Sequence, residues 1–243
     1  MRVQGLKVDL PYLLDSKSEC PPLFNGTTRR PILHMILSPY SQCVKIALNY
    51  KGLDEIECLA ISLNDKPTWY VEKVYPVGKV PALEHNGKVK GESLDLLVYI
   101  DQEFGGPNMT PTEEDKKDAA AELLKYRSTF VEVWLKALGF HDATPALLEE
   151  VLAPIFNHLE NAFRNYASEG PFILGKFSMV DIAYVPFIER AEISFSNANY
   201  DIMAGRPKLA KWIEAMNTID AYTSTKLETI GAVYIWEAIV VSC

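Results

Sequence analysis

Residues 32–53 read ILHMILSPYSQCVKIALNYKGL. An apolar run of strand type, Ile32 to Leu37, stops at Ser38 and Pro39. Serine suits the N-cap of a helix, and proline suits the first helical position, where its missing N–H costs nothing. From Pro39 to Lys51, Tyr40, Val44, Ala47 and Leu48 recur at helical spacing. A strand therefore feeds a helix through a serine–proline turn.

The next segments extend that pattern. IECLAI, Ile56 to Ile61, reads as a second strand. Val80 to Glu84 and Lys88 to Lys90 flank Asn86-Gly87, a dipeptide that favours a tight hairpin. Ser93 to Phe104 is helical again, with Leu94, Leu97 and Val98 on one face. Strand–helix–strand implies a parallel pair, and the hairpin adds two antiparallel strands. These residues predict a small mixed sheet with helices packed on it, an α/β domain of thioredoxin type.

On either side the chain changes character. Residues 1–31 contain Pro11, Pro21, Pro22 and Pro31 with little periodicity, and read as an extended surface arm. The α/β domain then spans 32–104. Gly105-Gly106-Pro107 and Pro111 mark a linker over 105–112. Beyond it, 113–243 reads as an all-α domain, with helical patterns over Pro111 to Gly139, Pro145 to Ala167, Ser178 to Ser194 and Arg206 to Asp220. Ser178 and Asp181 have the spacing of a capping box, and Phe177 and Ile182 that of a hydrophobic staple.

Composition narrows the function. In 243 residues, 48% are hydrophobic and 23% charged, so the chain can bury a core. A net charge of −8 argues against nucleic acid or an anionic membrane as partner. Cys20, Cys43, Cys58 and Cys243 are too few for a disulfide framework, and neither they nor the histidines (His34, His85, His141, His158) have zinc-site spacing. No segment reaches the roughly 18 apolar residues of a membrane span. The N-terminus has no signal-peptide run, and the reading is a cytoplasmic protein.

Four places offer chemistry. Ser38, at the helix tip, aims a hydroxyl and free N–H groups at the strand end, where an anion or thiolate could sit. Val80 precedes Pro81; the residues leave this bond open between trans and cis, and a cis bond would turn the Val80 backbone outward to pair with a peptide. Ser93 reads as the N-cap of the 93–104 helix and can hold a carboxylate, while Glu92 can pair with an ammonium. Lys66 can meet a second carboxylate. One ligand would use all four: a tripeptide with an ammonium and carboxylate at one end, a thiol in the middle and a carboxylate at the other, which is glutathione.

The sequence resembles glutathione transferases, most closely the plant lambda class. The similar stretches are PPLFNGTTR, NYKGL, DKPTWYVEKVYPVGKVPALEHN, KGESLDLLVYID, GPFILGKFSMVDIAYVPFIER and AGRPKLAKWIEAMN. The resemblance spans about residues 20–226. It implies the glutathione transferase fold and a glutathione site at Lys66, Val80, Glu92 and Ser93, with Pro81 cis. It also implies a hydrophobic second substrate between the domains, a monomer, and a cytosolic or sometimes plastidial location.

The lambda pattern Cys-Pro-Tyr/Phe-Ala-Gln-Arg departs here to Ser38-Pro39-Tyr40-Ser41-Gln42-Cys43. A serine cannot form the mixed disulfide with glutathione that a cysteine forms, but its hydroxyl can donate to a bound thiolate. Other transferase classes use a serine for conjugation, and the zeta class isomerises double bonds with bound glutathione. Cys43 lies about 140° around the helix from Ser38, at about 100° per residue, and reads as a packing residue. Conjugation or isomerisation of a hydrophobic plant metabolite through Ser38 is the leading reading. A non-catalytic carrier of phenolics or alkaloids and a residual thiol transferase stand as alternatives. The apolar tail from Ile230, with Trp236, departs from the lambda pattern as well.

Overall fold

The computed structural model describes residues 13–20, 32–34, 38–53, 58–140, 143–167 and 169–226. The first half holds strands β1 (Leu13–Leu14), β2 (Ile32–His34), β3 (Cys58–Ile61), β4 (Ala82–His85) and β5 (Lys88–Gly91), with helices α1 (Pro39–Tyr50) and α2 (Ser93–Glu103). The strands lie in the order β1-β3-β2-β4-β5. β2 runs parallel to β3, with Leu33 opposite Leu59, and antiparallel to β4, with Ile32 opposite Leu83. Asn86 and Gly87 both have positive φ, as a two-residue hairpin turn requires.

The arm does more than lie on the surface. Leu13 and Leu14 pair with Ala60 and Ile61 as a parallel edge strand, and the Ser62 N–H donates to the Leu14 carbonyl at 2.8 Å. Trp69 Nε1 fastens the same segment by donating to the Ser18 carbonyl at 2.9 Å. Two residues are too few to show an alternating pattern in sequence. PPLFNGTTR, Met35 to Leu37 and the tail from residue 227 lie outside the described residues.

The second half holds α3 (Glu114–Leu138), α4 (Pro145–Tyr166), α5 (Met179–Ser196), α6 (Pro207–Met216) and α7 (Asp220–Thr223). The helix expected over 206–220 is two, because the chain turns at Asn217 to Ile219. α3 begins at Glu114, not Pro111, since the preceding residues are held elsewhere. The Asp101 carboxylate at the end of α2 accepts from the N–H groups of Met109 and Thr110, at 2.9 and 3.0 Å, and from the Thr110 hydroxyl at 2.7 Å. Lys51 neutralises it at 2.7 Å. Burial opposes ionisation of Asp101, but the bonds from Lys51, Thr110 and Met109 outweigh it and hold the carboxyl below its usual range. No described helix is long and apolar enough to cross a membrane.

One hydrophobic core runs through both halves, joining Val44 and Leu48 of α1, Ile100 of α2, Trp134 of α3 and Phe187 of α5. α5 is buried almost all round. Its start carries the expected capping box: Ser178 N–H donates to Asp181 at 2.9 Å, and the Ser178 hydroxyl accepts from Val180 N–H at 3.3 Å. Asp181, fully buried, also accepts from Ile173 N–H at 3.0 Å and from Trp212 Nε1 at 2.7 Å. Burial raises its carboxyl to about 6 despite these bonds. Asp181→Ala strands four buried donors, the Ser178 hydroxyl included, and removes the box, so urea denaturation should show a loss of about 3 kcal/mol or more. A loss under about 1 kcal/mol would mean that Asp181 does not organise this junction.

Candidate active site

A cleft of about 480 Å³ lies between the two halves. The start of α1 supplies Ser38 and Tyr40. The segment between β3 and β4 supplies Leu63, Asn64, Lys66, Gly78, Lys79, Val80 and Pro81, and the start of α2 supplies Glu92 and Ser93. Facing them from α3 are Arg127, Val131, Trp134 and Leu135. All six residues singled out in the sequence therefore meet on one cavity. Its size falls within the ~300–1,000 Å³ of small-molecule sites.

Ser38 is 4% exposed and caps α1 in extended geometry. Its Oγ accepts from the Ser41 N–H at 3.4 Å, a long bond, and among the described residues its own proton has no acceptor. The helix start thus presents a donor and the positive end of the α1 dipole. The Val80–Pro81 peptide is cis. The preceding Lys79 carbonyl is held by the Tyr70 hydroxyl at 2.5 Å. Tyr70 sits in a wide helical turn, Tyr70–Val74, that has no clear sequence pattern. Burial pushes its phenol up, so it remains a donor at neutral pH.

Ser93 is not the N-cap of its helix. That position belongs to Glu92, which has φ 63° and ψ 112°, and Ser93 is the first helical residue. Left-handed φ is unfavourable for glutamate, and such strain is typical of functional sites. The turn leaves Glu92 exposed and Ser93 buried at the cleft. Lys66 is exposed and lines the same cleft. Three cations, Lys66, Lys79 and Arg127, line the cleft against one carboxylate, Glu92, in a chain of net charge −8. The cleft therefore suits an anion.

Sequence reading missed the α3 wall. Positions 127, 131, 134 and 135 share one helical stripe, and the available signal was an arginine on an otherwise apolar stripe. Cys43, as expected, packs in the core. It is fully buried, outside the cleft lining, and its thiol donates to the Ala183 carbonyl of α5 at 3.8 Å. Burial pushes the thiol up to about 11. Among the described residues no cluster of three or more histidine, cysteine or acidic side chains could hold a metal ion.

Comparisons with known proteins agree on one family. The family model for the glutathione S-transferase N-terminal domain matches residues 32–108, and that for the C-terminal domain matches 145–215. The chain is 46% identical to glutathione S-transferase L3 of Arabidopsis thaliana over 222 residues, 90% of this chain and 91% of that one. It is 47% identical to the chloroplastic glutathione S-transferase L2 of the same plant over 215 residues, 88% of this chain and 70% of that one. Among solved structures, the tau-class transferase of mango, Mangifera indica, superposes with a TM-score of 0.76 at 24% identity, covering 86% of this chain and 97% of the other.

Burial makes Cys43 inert in the folded protein. At pH 8, iodoacetamide should leave it unmodified by peptide mass spectrometry until urea unfolds the chain. Rapid labelling of the native protein would overturn its assignment as a packing residue.

Proposed function

Since the chain belongs to the glutathione S-transferase family, we propose that it binds glutathione in the cleft and activates its thiolate through the Ser38 hydroxyl. The acceptor is a hydrophobic small molecule of plant metabolism, and the chemistry is conjugation or addition–elimination that isomerises a double bond. The observation that carries the reading is the convergence of Ser38, Lys66, Val80, cis-Pro81, Glu92 and Ser93 on one cation-rich cleft.

The residues present fit the tripeptide. Lys66 meets the glycine carboxylate, and the Val80 backbone, turned by the cis bond, pairs with the cysteinyl unit in the manner of an added strand. Glu92 takes the ammonium and Ser93 the carboxylate of the γ-glutamyl end. Glutathione supplies a thiolate nucleophile. Ser38 donates its free O–H toward that sulfur from a buried site at the positive end of α1, where a hydrogen bond acts in low dielectric. A thiol near pKa 8.5 is only about 3% ionised at pH 7; lowering it by about two units stabilises the thiolate by roughly 2.7 kcal/mol and leaves about three-quarters ionised. The apolar wall of Val131, Trp134 and Leu135 receives the acceptor and excludes water. The protein acts as a monomer in the cytoplasm, although the L2 relative is chloroplastic.

With an electrophilic aromatic acceptor, Ser38→Ala should lower kcat by about 100-fold while the KM for glutathione stays within about threefold. The absorbance of bound thiolate against pH should shift upward in parallel. An alanine variant as fast as the parent would remove Ser38 from the chemistry. Phenolic binding with no glutathione-dependent turnover on any electrophile would mark a carrier instead. Ser38→Cys reports on the third reading: thiol transfer appearing only in that variant shows that the scaffold lacks just the sulfur.

A further inference from the structure

We propose that Arg127 makes the Ser93 end of the cleft a seat for a carboxylate, acting as a positioning residue through the Ser93 hydroxyl. The inference rests on the glutathione reading above, in which the γ-glutamyl α-carboxylate occupies that seat.

Arg127 reaches across from α3, and its Nη2 donates to Ser93 Oγ at 3.0 Å. The residue is 7% exposed and lines the cleft. Its Nη1 is buried and makes no hydrogen bond among the described residues, and its guanidinium forms no ion pair with any described carboxylate. The rings of Tyr40 and Phe187, each 5.5 Å away, attract the cation through their faces but supply no counter-charge. The other polar neighbour of Arg127 is the Cys43 thiol, which is kept protonated by burial and supplies no charge. A guanidinium taken from water with no carboxylate partner among the described residues is costly to the fold. A negative ligand group in the adjoining cavity offsets that cost.

Hydrogen-bond direction identifies the kind of group. Arginine has donors only, so Ser93 Oγ must accept from Nη2. The serine proton is thereby turned away from Arg127 and is free to donate into the cleft. Beside it stands the start of α2, an 11-residue helix whose first intrahelical bond runs from Leu96 N–H to the Glu92 carbonyl at 2.9 Å. The amides of Ser93, Leu94 and Asp95 precede that bond and have no helical acceptor. An oriented hydroxyl, free helix-start amides and a buried cation match an acceptor-only, singly charged group, which is a carboxylate. Glu92 and Asp95 carry opposing charge, but both are exposed and screened by solvent. Glu92 is also the partner for the ammonium on the same amino-acid head.

The test is calorimetric titration of the parent, Arg127→Met and Arg127→Lys with two ligands. One is glutathione; the other is 4-aminobutyryl-cysteinylglycine, which lacks only the γ-glutamyl α-carboxylate. The parent should prefer glutathione by about 50-fold. In Arg127→Met the preference should collapse to about threefold, chiefly through weaker glutathione binding, and Arg127→Lys should restore it to about tenfold. Should the methionine variant fail to fold, Ser93→Ala leaves the arginine in place and should cut the preference by about tenfold. Equal weakening of both ligands by Arg127→Met means a purely structural arginine and overturns the proposal. A preference that survives intact in Arg127→Met, or in Ser93→Ala where that variant must decide, overturns it too, while leaving glutathione binding established. A parent that binds neither ligand removes the glutathione reading and this inference with it.

Discussion

The site depends on how α1 is clamped between the two halves. Gln42, buried in the first turns of that helix, offers its carbonyl oxygen to Arg190 Nη1 at 2.7 Å and donates its amide to Glu189 at 2.8 Å. Both partners lie on α5, at the centre of the helical half. Arg190 is fully buried, and burial draws its guanidinium down to about 10. Loss of one member of such a network leaves a dehydrated charge behind, so the packing is strongly specified. Ser38 lies one turn from Gln42 on the same helix, and the placement of the α1 tip is therefore set by α5 as well as by its own cap.

Much of this was legible in the chain because the signals are local. A serine followed by proline marked the start of α1, Asn86-Gly87 marked the hairpin, and Ser178 with Asp181 marked the start of α5. Each feature follows from a few adjacent residues whose chemistry admits few conformations. The six cleft residues were found because three chain segments each ended in a turn or cap, and the sheet order brings those ends together.

What escaped detection was tertiary. β1 is two residues long and exists only because β3 offers an unpaired edge. Glu92 takes a left-handed conformation that its side chain disfavours, which moves the cap one residue ahead of the better capping residue. Arg127 looks like any basic residue of a long helix until α3 is laid against the cleft. A local pattern shows which stripe of a helix is apolar, but not which end of that stripe will overlook a ligand.

The joint between the halves has a consequence of its own. Two glycines and a proline suggest a flexible tether, yet the Asp101 carboxylate grips the far side of that joint while Lys51 reaches across from the end of α1. The Met109 carbonyl in turn accepts from the Met179 N–H at the start of α5 at 2.8 Å, so the halves are riveted where they would be easiest to separate. Expressed as two pieces, each would expose its share of a common interior and lose one jaw of the cleft. The smallest heritable module with an intact binding cleft is then the joined pair, and recombination that exchanges one half would have to carry over a matching partner for the rivet.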